Sequence, residues 1–314
     1  MAVCLRTRFN LVLVCLICGV VGYLLFFLLD EPLTIVSGFK RARSHSVCNV
    51  YDFHTESNDH HECVKTNWTP SFFICIHPVI EDIYVSKDIK RDGIWEGKIL
   101  RVLQNLLEQD PEMGAIDIGA NIGVYTLLAA ALHRPVIAVE ARLLHVQMIH
   151  HSILESGLQN SDVVLLHNAI SDSRKNMILT LSNRSNQGST QVTEEDGVRR
   201  EFPRSENAHV QAILMDDLLS VVNFKKAVIK MDIQGSEHLA ISQCERLLKT
   251  VYVPFIFMEW VIQREGKESQ QLILSVLSRN GYSAFKINNK DPLKISMAKE
   301  WPGDILWKHR GAHF

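Results

Sequence analysis

A glycine-rich segment and an acidic residue that follows it are the first candidates for chemistry in this sequence. The segment DIGANIG at residues 117–123 follows a short apolar run, and Glu140 ends the next apolar run. Glycines at such a point let the backbone turn tightly and approach a ligand, and an acid at the end of a second strand can accept hydrogen bonds from two ribose hydroxyls. The pattern therefore predicts a site for a cofactor that contains a nucleoside.

The segment at residues 117–123 also indicates which kind of nucleoside ligand would bind. The G-x-G-x-x-G turn of dinucleotide sites and the G-K-[ST] sequence of phosphate-binding loops are both absent from it. The carboxylate of Asp117 would repel a phosphate but would suit a ligand with an ammonium group, such as the methionine part of S-adenosylmethionine. An alternative stays open, in which Asp117 caps the following helix and the glycines serve only packing.

A second charged block is the segment VIKMDIQGSE at residues 228–237, which has the pattern of a buried strand, a turn and a helix start. Side chains alternate along a strand, so Lys230 and Asp232 project to one face, where burial is costly unless they pair or bind a ligand. Ligands of open α/β sheets bind at the carboxyl ends of the strands. The acids expected at that edge are Asp117, Glu140, Asp232 and Glu259. The alternative is an ion pair of Lys230 with Asp232 or Glu237 that only braces the sheet.

The elements that must position these residues follow a regular rhythm. An amphipathic helix, with apolar residues from Ile99 to Leu107 at helical spacing, ends near Pro111, and apolar runs then alternate with helical patterns. The predicted strands are AIDIG, PVIAVE, DVVLLHNAI, KAVIKMDI, VPFIFME and a final YSAFKI, and the predicted helices span about 123–132, 143–155, 236–248 and 268–280. This alternation predicts an open, parallel α/β sheet with helices on both faces. Residues 171–215 interrupt it with MILTLS and VQAILM, an expected hairpin whose loop could form part of a substrate mouth.

Six blocks of the sequence together resemble the FkbM-type family of S-adenosylmethionine-dependent methyltransferases. In chain order they are AIDIGANIGVYT, VIAVEA, HNAISD, MDDLL, VIKMDIQGSEHLAI and FIFMEW, and the resemblance covers roughly residues 72–290. The resemblance implies the class I methyltransferase fold, a Rossmann-like sheet of seven mostly parallel strands. It also implies S-adenosylmethionine as cofactor and methyl transfer to hydroxyl oxygens, often on sugars.

The resemblance also assigns roles to individual residues. Those implied in cofactor binding are Asp117, Gly119, Asn121 and Gly123 at the methionine end, Glu140 at the ribose, and Asn168 and Ala169 near the adenine. Lys230, Asp232 and Glu237 match the K-x-D-x-x-G-x-E block of the family. Many relatives have a proline where this chain has Ala141, a difference expected to alter loop stiffness more than cofactor contact.

The acceptor chemistry points to the second block. A sugar hydroxyl is a weak nucleophile, which would profit from a carboxylate within hydrogen-bond reach or from a bound divalent ion. We predict that Asp232 is the base or metal ligand, that Lys230 orients it, and that Glu259 or Glu237 places acceptor hydroxyls. Whether a metal takes part stays open at this point.

The amino-terminal part predicts a membrane anchor. Residues 9–29 carry no charged side chain, a run long enough to cross a bilayer and longer than the apolar region of a cleaved signal peptide. We predict a short cytoplasmic tail at 1–8, a signal anchor at 9–29, a stem at 30–70 and the methyltransferase domain at 71–314. The lysines and arginines on either side of the anchor do not decide its orientation.

Other features favour a lumenal domain. The sequons Asn67-Trp68-Thr69 and Asn183-Arg184-Ser185 are glycosylation acceptors, although Pro70 makes the first a poorer one. The clustered cysteines Cys48, Cys63 and Cys75 could form one disulfide and leave one thiol, which could pair with Cys244. Buried thiols in a cytosolic protein are the alternative. We expect a single-pass type II protein of the Golgi or endoplasmic reticulum, with glycans as acceptors.

Composition excludes other classes. Lys plus Arg is 33 against 35 for Asp plus Glu, so the chain lacks the basic surplus that drives nucleic-acid binding. With 22% charged and 46% hydrophobic residues it is not expected to be disordered or multi-spanning. A rival from another class is a catalytically inactive trafficking or cargo-binding membrane protein on the same fold. An intact cofactor pocket would distinguish the enzyme from this rival.

Overall fold

The computed structural model describes residues 47–54, 61–181, 185–194, 209–260, 262–287 and 291–312. In the first half, the helices and strands are β1 (Glu62–Lys65), β2 (Phe73–Ile76), α1 (Val85–Asp92), α2 (Gly97–Gln109), β3 (Met113–Ile118), α3 (Val124–Ala131), β4 (Val136–Glu140), α4 (Leu143–Glu155), β5 (Val163–His167) and β6 (Ala169–Ile170). In the second half they are β7 (Asn176–Leu181), β8 (Thr190–Glu194), β9 (His209–Ile213), β10 (Lys226–Met231), α5 (Glu237–Ser242), α6 (Glu245–Thr250), β11 (Tyr252–Glu259), α7 (Ile262–Arg279), β12 (Tyr282–Lys286) and β13 (Asp304–His309). Short 3₁₀ helices cover Met215–Ser220 and Ile295–Glu300.

A seven-stranded sheet organises the domain, in the order β12-β13-β11-β10-β3-β4-β5. The strands from β11 to β5 run parallel to their neighbours, whereas β13 runs antiparallel to both β11 and β12. All six residues of β3 are buried, as expected for a parallel strand covered on both faces. The predicted sheet of seven mostly parallel strands is confirmed.

Helices cover both faces of this sheet, as predicted. Helices α2, α3 and α4 bury one core, which includes Leu103, Leu128 and Ile149. Helices α5, α6 and α7 bury the other, which includes Ile241, Leu247 and Ile273. The two cores fix the sheet between them, so the loops at the carboxyl ends of the parallel strands are held in place from both sides.

Two elements differ from the sequence-based expectation. The predicted helix at about 236–248 is two short helices, α5 and α6. The break is stabilised by Asp216, whose carboxylate accepts the backbone N–H groups of Arg246 at 3.2 Å and Leu247 at 2.7 Å. The run YSAFKI is not the final strand, because β13 follows it and lies between β12 and β11.

The insertion at 171–215 forms most of a second sheet, in the order β6-β9-β7-β8. The predicted pairing of its two apolar runs is confirmed, because β7 and β9 are antiparallel with Met177 opposite Val210. The structure adds β8 on the other edge of β7. Gly188, in the loop before β8, lies beside residues at the carboxyl ends of the main sheet's parallel strands.

The folded domain starts earlier than the expected boundary at residue 71. Strands β1 and β2 form an antiparallel hairpin in which Cys63 lies opposite Cys75 and is joined to it by a disulfide. Further upstream, the N–H of Tyr51 donates to the carbonyl of Leu165 in β5 at 2.8 Å. Parts of the predicted stem therefore belong to the domain.

The three clustered cysteines form one disulfide, Cys63–Cys75, as the sequence analysis considered. Cys48 and Cys244 are buried and are not joined to each other, so the pairing considered for them does not form. The Sγ of Cys48 instead lies 3.5 Å from the carbonyl oxygen of Asp217. Of the predicted sequon asparagines, Asn67 is exposed and Asn183 lies outside the described residues.

The predicted anchor at 9–29 and most of the stem also lie outside the described residues. Among the helices that the structure describes, none has the length and apolar character needed to cross a bilayer.

Candidate active site

The turn after β3 brings two strands into unusually close contact. Gly119 has φ +79°, and a Cβ added there would lie 1.9 Å from the carbonyl oxygen of Asp232, after β10. Only glycine fits both the conformation and the space. The N–H of Asp232 in turn donates to the carbonyl of Ile118 at 3.0 Å. The two predicted motifs are therefore joined directly by their backbones.

The acid at the end of β4 is held from both sides. The N–H of Asn121 donates to Oε2 of Glu140 at 2.8 Å, and the N–H of Arg142 donates to Oε1 at 2.8 Å. A carboxylate has about four acceptor positions, so each oxygen keeps a lone pair after these bonds. Glu140 also lines the cleft, so it can accept hydrogen bonds from a ligand's hydroxyls.

A cleft that is open to solvent lies at the carboxyl ends of β3, β4 and β10, and its empty space, part of that solvent included, is about 680 Å³. Its polar lining includes Asn121, Glu140, His145, Asn168, Thr190 and Asp232, and its apolar lining includes Ile118, Val139, Ile170 and Val192. The close approach at Gly119, an acid with spare acceptor positions and apolar walls for a ring together fit a nucleoside cofactor.

Five of the seven predicted cofactor residues line this cleft. They are Gly119, Asn121, Glu140, Asn168 and Ala169. The Oδ1 of Asn168 accepts the N–H of Asn49 at 2.8 Å, and its Nδ2 donates to the carbonyl of Gln211 at 3.0 Å. Asn168 therefore also ties the cleft to the upstream segment and to β9.

Asp117 and Gly123 are not among the residues that line the cleft, and their part at the methionine end of the cofactor stays a prediction. Asp117 is only 2% exposed, and its Oδ2 accepts hydrogen bonds from the N–H and the Oγ1 of Thr126 in α3. It braces the start of that helix, which is the alternative the sequence left open. Burial raises the pKa of Asp117 to about 6. A Cβ on Gly123 would lie 2.8 Å from Ile149, so this glycine serves the packing of α3 on α4.

Lys230 and Asp232 form the predicted pair. The Nζ of Lys230 lies 3.4 Å from Oδ2 of Asp232 and 5.2 Å from the centre of the Tyr125 ring. Burial alone would lower the pKa of Lys230, but Asp232, Glu96 and Asp304 raise it above its usual value. Burial likewise works to raise the pKa of Asp232, but the Lys230 ammonium and the Gln234 amide hold it below its usual range. Asp232 is therefore an ionised carboxylate, and it lines the cleft.

Glu237 and Glu259 lie close to Asp232 but outside the lining of the cleft. Glu237 is 1% exposed, and its two oxygens accept the N–H groups of Ile233 at 2.8 Å and Gly235 at 3.0 Å. Its contacts are those of an anchor for the turn after β10. Carboxylate oxygens of Asp232, Glu237 and Glu259 lie within 4.8 Å of one another, a spacing that a divalent cation could bridge.

The sequence did not reveal three further residues beside Lys230. Tyr125 donates a hydrogen bond to Glu96, and burial and Glu96 raise the pKa of Tyr125 well above its usual value. Burial, together with the charge of Glu96, raises the pKa of Asp304 to about 6. Glu96 lies in a segment without strand or helix pattern. Asp304 opens the unpredicted strand β13, which the apolar run after Pro302-Gly303 could have indicated.

The strand order, with its single reversed strand, and the glycine turn facing an acid define an α/β protein of the methyltransferase class. A family model described as the methyltransferase FkbM domain matches residues 117–284. The chain belongs to this family of S-adenosylmethionine-dependent methyltransferases, and its cofactor is S-adenosylmethionine.

Solved structures with a similar fold include an S-adenosylmethionine-dependent methyltransferase from Agrobacterium tumefaciens, with 9% identity, a TM-score of 0.44, and coverage of 81% of this chain and 72% of that one. An O-methyltransferase from Bacillus cereus, in complex with S-adenosylhomocysteine, has 13% identity, a TM-score of 0.40, and coverage of 69% of this chain and 82% of that one. Among curated proteins, no match to this chain is found.

Proposed function

We propose that this protein is an O-methyltransferase that methylates a hydroxyl group of a glycan in the lumen of the secretory pathway. The observation that carries the proposal is the position of Asp232, an ionised carboxylate that lines the cofactor cleft and contacts the glycine turn through its backbone. A carboxylate at that point can accept the proton of a hydroxyl held next to the cofactor.

In this proposal the residues of the cofactor site contact different parts of S-adenosylmethionine. Gly119 and Asn121 contact the methionine end, Glu140 accepts the ribose hydroxyls, and Asn168 and Ala169 contact the adenine. When bound, S-adenosylmethionine supplies a methyl group made electrophilic by its sulfonium. Positioning of the acceptor oxygen then provides much of the rate, because the reaction is an in-line displacement.

The proton of the acceptor hydroxyl passes to a carboxylate. Asp232 is the first candidate for this base. Lys230 orients it, with Nζ 3.4 Å from Oδ2. Glu259 holds a second acceptor hydroxyl, and Glu237 acts through the turn it anchors. A divalent cation on Asp232, Glu237 and Glu259 is compatible with this arrangement and would lower the pKa of the acceptor hydroxyl.

The lumenal location is supported by two described features. Disulfides persist in oxidising compartments, and Cys63–Cys75 is one. Asn67 of the first sequon is exposed. With the predicted anchor at 9–29, these features favour a type II protein of the Golgi or endoplasmic reticulum, whose domain meets glycans on passing glycoproteins or glycolipids.

The activity is tested with the full-length protein in detergent. Titration calorimetry with S-adenosylhomocysteine should give heat of binding, and labelled S-adenosylmethionine should transfer its methyl group to at least one member of a panel of glycans. Asp232→Asn should keep the binding and lose the transfer. Binding without transfer to any hydroxyl acceptor would refute the O-methyl proposal. Absence of binding would favour a catalytically inactive trafficking or cargo-binding protein.

The location is tested separately in cells. Treatment with an N-glycosidase should increase the electrophoretic mobility of the wild-type protein, and Asn67→Gln or Asn183→Gln should remove part of that shift. If neither asparagine carries a glycan and Cys63 and Cys75 react as thiols in intact cells, the domain faces the cytosol and the glycan proposal is wrong.

A further inference from the structure

A chain of buried polar groups leads away from the acid at the end of β4. His145, in the first turn of α4, is 2% exposed and lines the cleft. Its Nδ1 lies 3.5 Å from Oε1 of Glu140, and its Nε2 lies 3.0 Å from Nε2 of His77, which follows β2. The backbone of His77 is itself fixed, because its N–H donates to Oγ of Ser86 at 3.1 Å.

The hydrogen-bond partners of His145 and His77 decide which of their ring nitrogens carry protons. The Nη1 of Arg142 is 3.4 Å from Nε2 of His145, and a guanidinium can only donate, so this ring nitrogen accepts. The Nε2 of His77 must then donate to the same acceptor. Burial and the neighbouring His145 and Arg142 lower the pKa of His77 to about 3, so His77 is neutral and carries a single ring proton. With Nε2 as the acceptor, the ring proton of His145 lies on Nδ1, the atom that faces Glu140.

The same arginine reaches the inserted sheet. The Nη1 of Arg142 donates to Oε1 of Gln187 at 2.6 Å, and the Nε2 of Gln187 donates to the carbonyl of Glu81 at 3.3 Å. Gln187 precedes Gly188 and Thr190, which line the cleft, and a Cβ on Gly188 would lie 2.8 Å from Nδ2 of Asn121 in the glycine turn. Arg142 is therefore a common partner of the histidine pair and of the loop that closes one side of the cleft.

We propose that His145 is a positioning residue for cofactor binding. Its Nδ1 faces Oε1 of Glu140 at 3.5 Å, a polar contact that favours the orientation of the carboxylate toward the cleft, while Arg142 fixes the tautomer of His145 and holds the Gln187 loop at the cleft edge. The inference rests on the proposed role of Glu140 at the ribose. It adds to that role a side chain of α4, which supports the orientation of Glu140 beside the backbone N–H groups of Asn121 and Arg142.

The experiment is titration of the full-length protein with S-adenosylhomocysteine. His145→Leu should weaken binding by about tenfold, the upper end of what one polar contact contributes. His145→Asn places an amide donor near the position of Nδ1 and should restore affinity to within about threefold of wild type. Arg142→Met should weaken binding as His145→Leu does, because Nε2 of His145 and Oε1 of Gln187 both lose the guanidinium that contacts them.

The matched control is His150, which is on the same helix and buried to a similar extent, but whose ring nitrogens have no hydrogen-bond partner in the described structure. His150→Leu should leave the affinity unchanged, which separates loss of packing from loss of the donor. Thermal unfolding of each variant shows that it is folded. If His145→Leu does not fold, His145→Asn and Arg142→Met decide the question.

The outcomes separate this inference from the site assignment. If Glu140→Gln loses affinity but His145→Leu and Arg142→Met bind as wild type, the positioning role is wrong and the ribose role of Glu140 stands. If Glu140→Gln also binds as wild type, the ribose assignment itself is wrong. Equal losses in His145→Leu and His145→Asn would likewise overturn the role of the Nδ1 donor.

Discussion

At the scale of single residues, two separate constraints act on Gly119. It combines a positive φ with a Cβ position already occupied by the carbonyl oxygen of Asp232. Any side chain there must push β10 away from β3. Because Asp232 also lines the cleft, such a displacement would reach the reacting end of the site.

Gly119→Ala should therefore lower both stability and cofactor affinity. Gly157 offers a matched control, because it has φ +67° and nothing within 4 Å of its Cβ position. Urea unfolding should show a loss of about 3 kcal/mol for Gly119→Ala and about 1 kcal/mol for Gly157→Ala, since only the first adds a clash to the backbone strain. Equal losses in the two variants would show that the close approach is absent.

Asp304 makes stability depend on pH in a predictable direction. Its pKa in the folded protein is about 6, above that of an unfolded aspartate, so the folded state binds its proton more tightly. The contribution of Asp304 is therefore most favourable below about pH 4 and is lost as the pH rises through 6. Because a pKa difference of one corresponds to about 1.4 kcal/mol, ionising Asp304 in the folded state costs at most about 3 kcal/mol at neutral pH.

Asp304→Asn removes that cost, because an amide does not ionise. The variant should be more stable than wild type by roughly 1–2 kcal/mol at pH 7.5 and close to wild type at pH 4.5, as measured by urea unfolding at both pH values. A difference that is the same at both pH values would contradict the raised pKa. The pKa of Asp117 is raised in both proteins alike, so its effect cancels in the comparison.

The residues of the cofactor end were predictable because their chemistry is local. A glycine turn and a strand-end acid are readable from the neighbouring apolar runs, and Gly119 and Glu140 line the cleft as expected. The contacts of Asp117 could not be predicted, because the sequence does not tell whether a carboxylate at a strand end turns toward the ligand or toward the next helix. In the structure its Oδ2 accepts a hydrogen bond from Oγ1 of Thr126.

At the scale of elements, the β1–β2 hairpin supports the cofactor site from outside the sheet. The N–H of Cys75 donates to Oγ of Ser152 in α4 at 2.8 Å, and His77 follows two residues later. The disulfide Cys63–Cys75 therefore holds the segment that carries one end of the histidine pair.

Replacing both cysteines with serine should lower the free energy of unfolding by about 3 kcal/mol, the effect expected for a closed loop of this length. A reductant should lower the stability of the wild type by a similar amount and leave the double variant unchanged, which serves as the control. If the reductant destabilises both proteins equally, the bond that matters lies elsewhere in the chain.

The bounds of a helix were predicted well where its own sequence determines them. They were predicted poorly where a residue distant in sequence contacts the helix. Helix α4 has the predicted bounds, because its apolar face is continuous. The predicted helix at 236–248 is broken by the carboxylate of Asp216, whose position opposite Arg246 and Leu247 no local pattern reveals.

At the scale of the whole molecule, the carboxyl-terminal strand lies in the interior of the sheet. β13 pairs with β11 on one side and β12 on the other, and Trp307 is 1% exposed. Its place in the sheet could not be derived from local pattern, because it depends on the return of the chain past β12.

A chain truncated after Pro302 should lose cooperative unfolding, because both neighbours of β13 lose their hydrogen bonds and Trp307 leaves the core. Tyr252→Ser is a milder comparison, because Tyr252 is on β11 but 39% exposed, and it should keep a single sharp transition. Thermal unfolding followed by circular dichroism measures both. A truncated protein that melts sharply at the wild-type temperature would mean that β13 is dispensable.

The position of β13 also sets the order in which the domain can be completed during its synthesis. Translation proceeds from the amino end at about 5–20 residues per second, so β11 and β12 leave the ribosome before the strand that must separate them. Until then each presents an open edge to other nascent chains. We therefore expect the newly made protein to depend on chaperones until β13 has emerged.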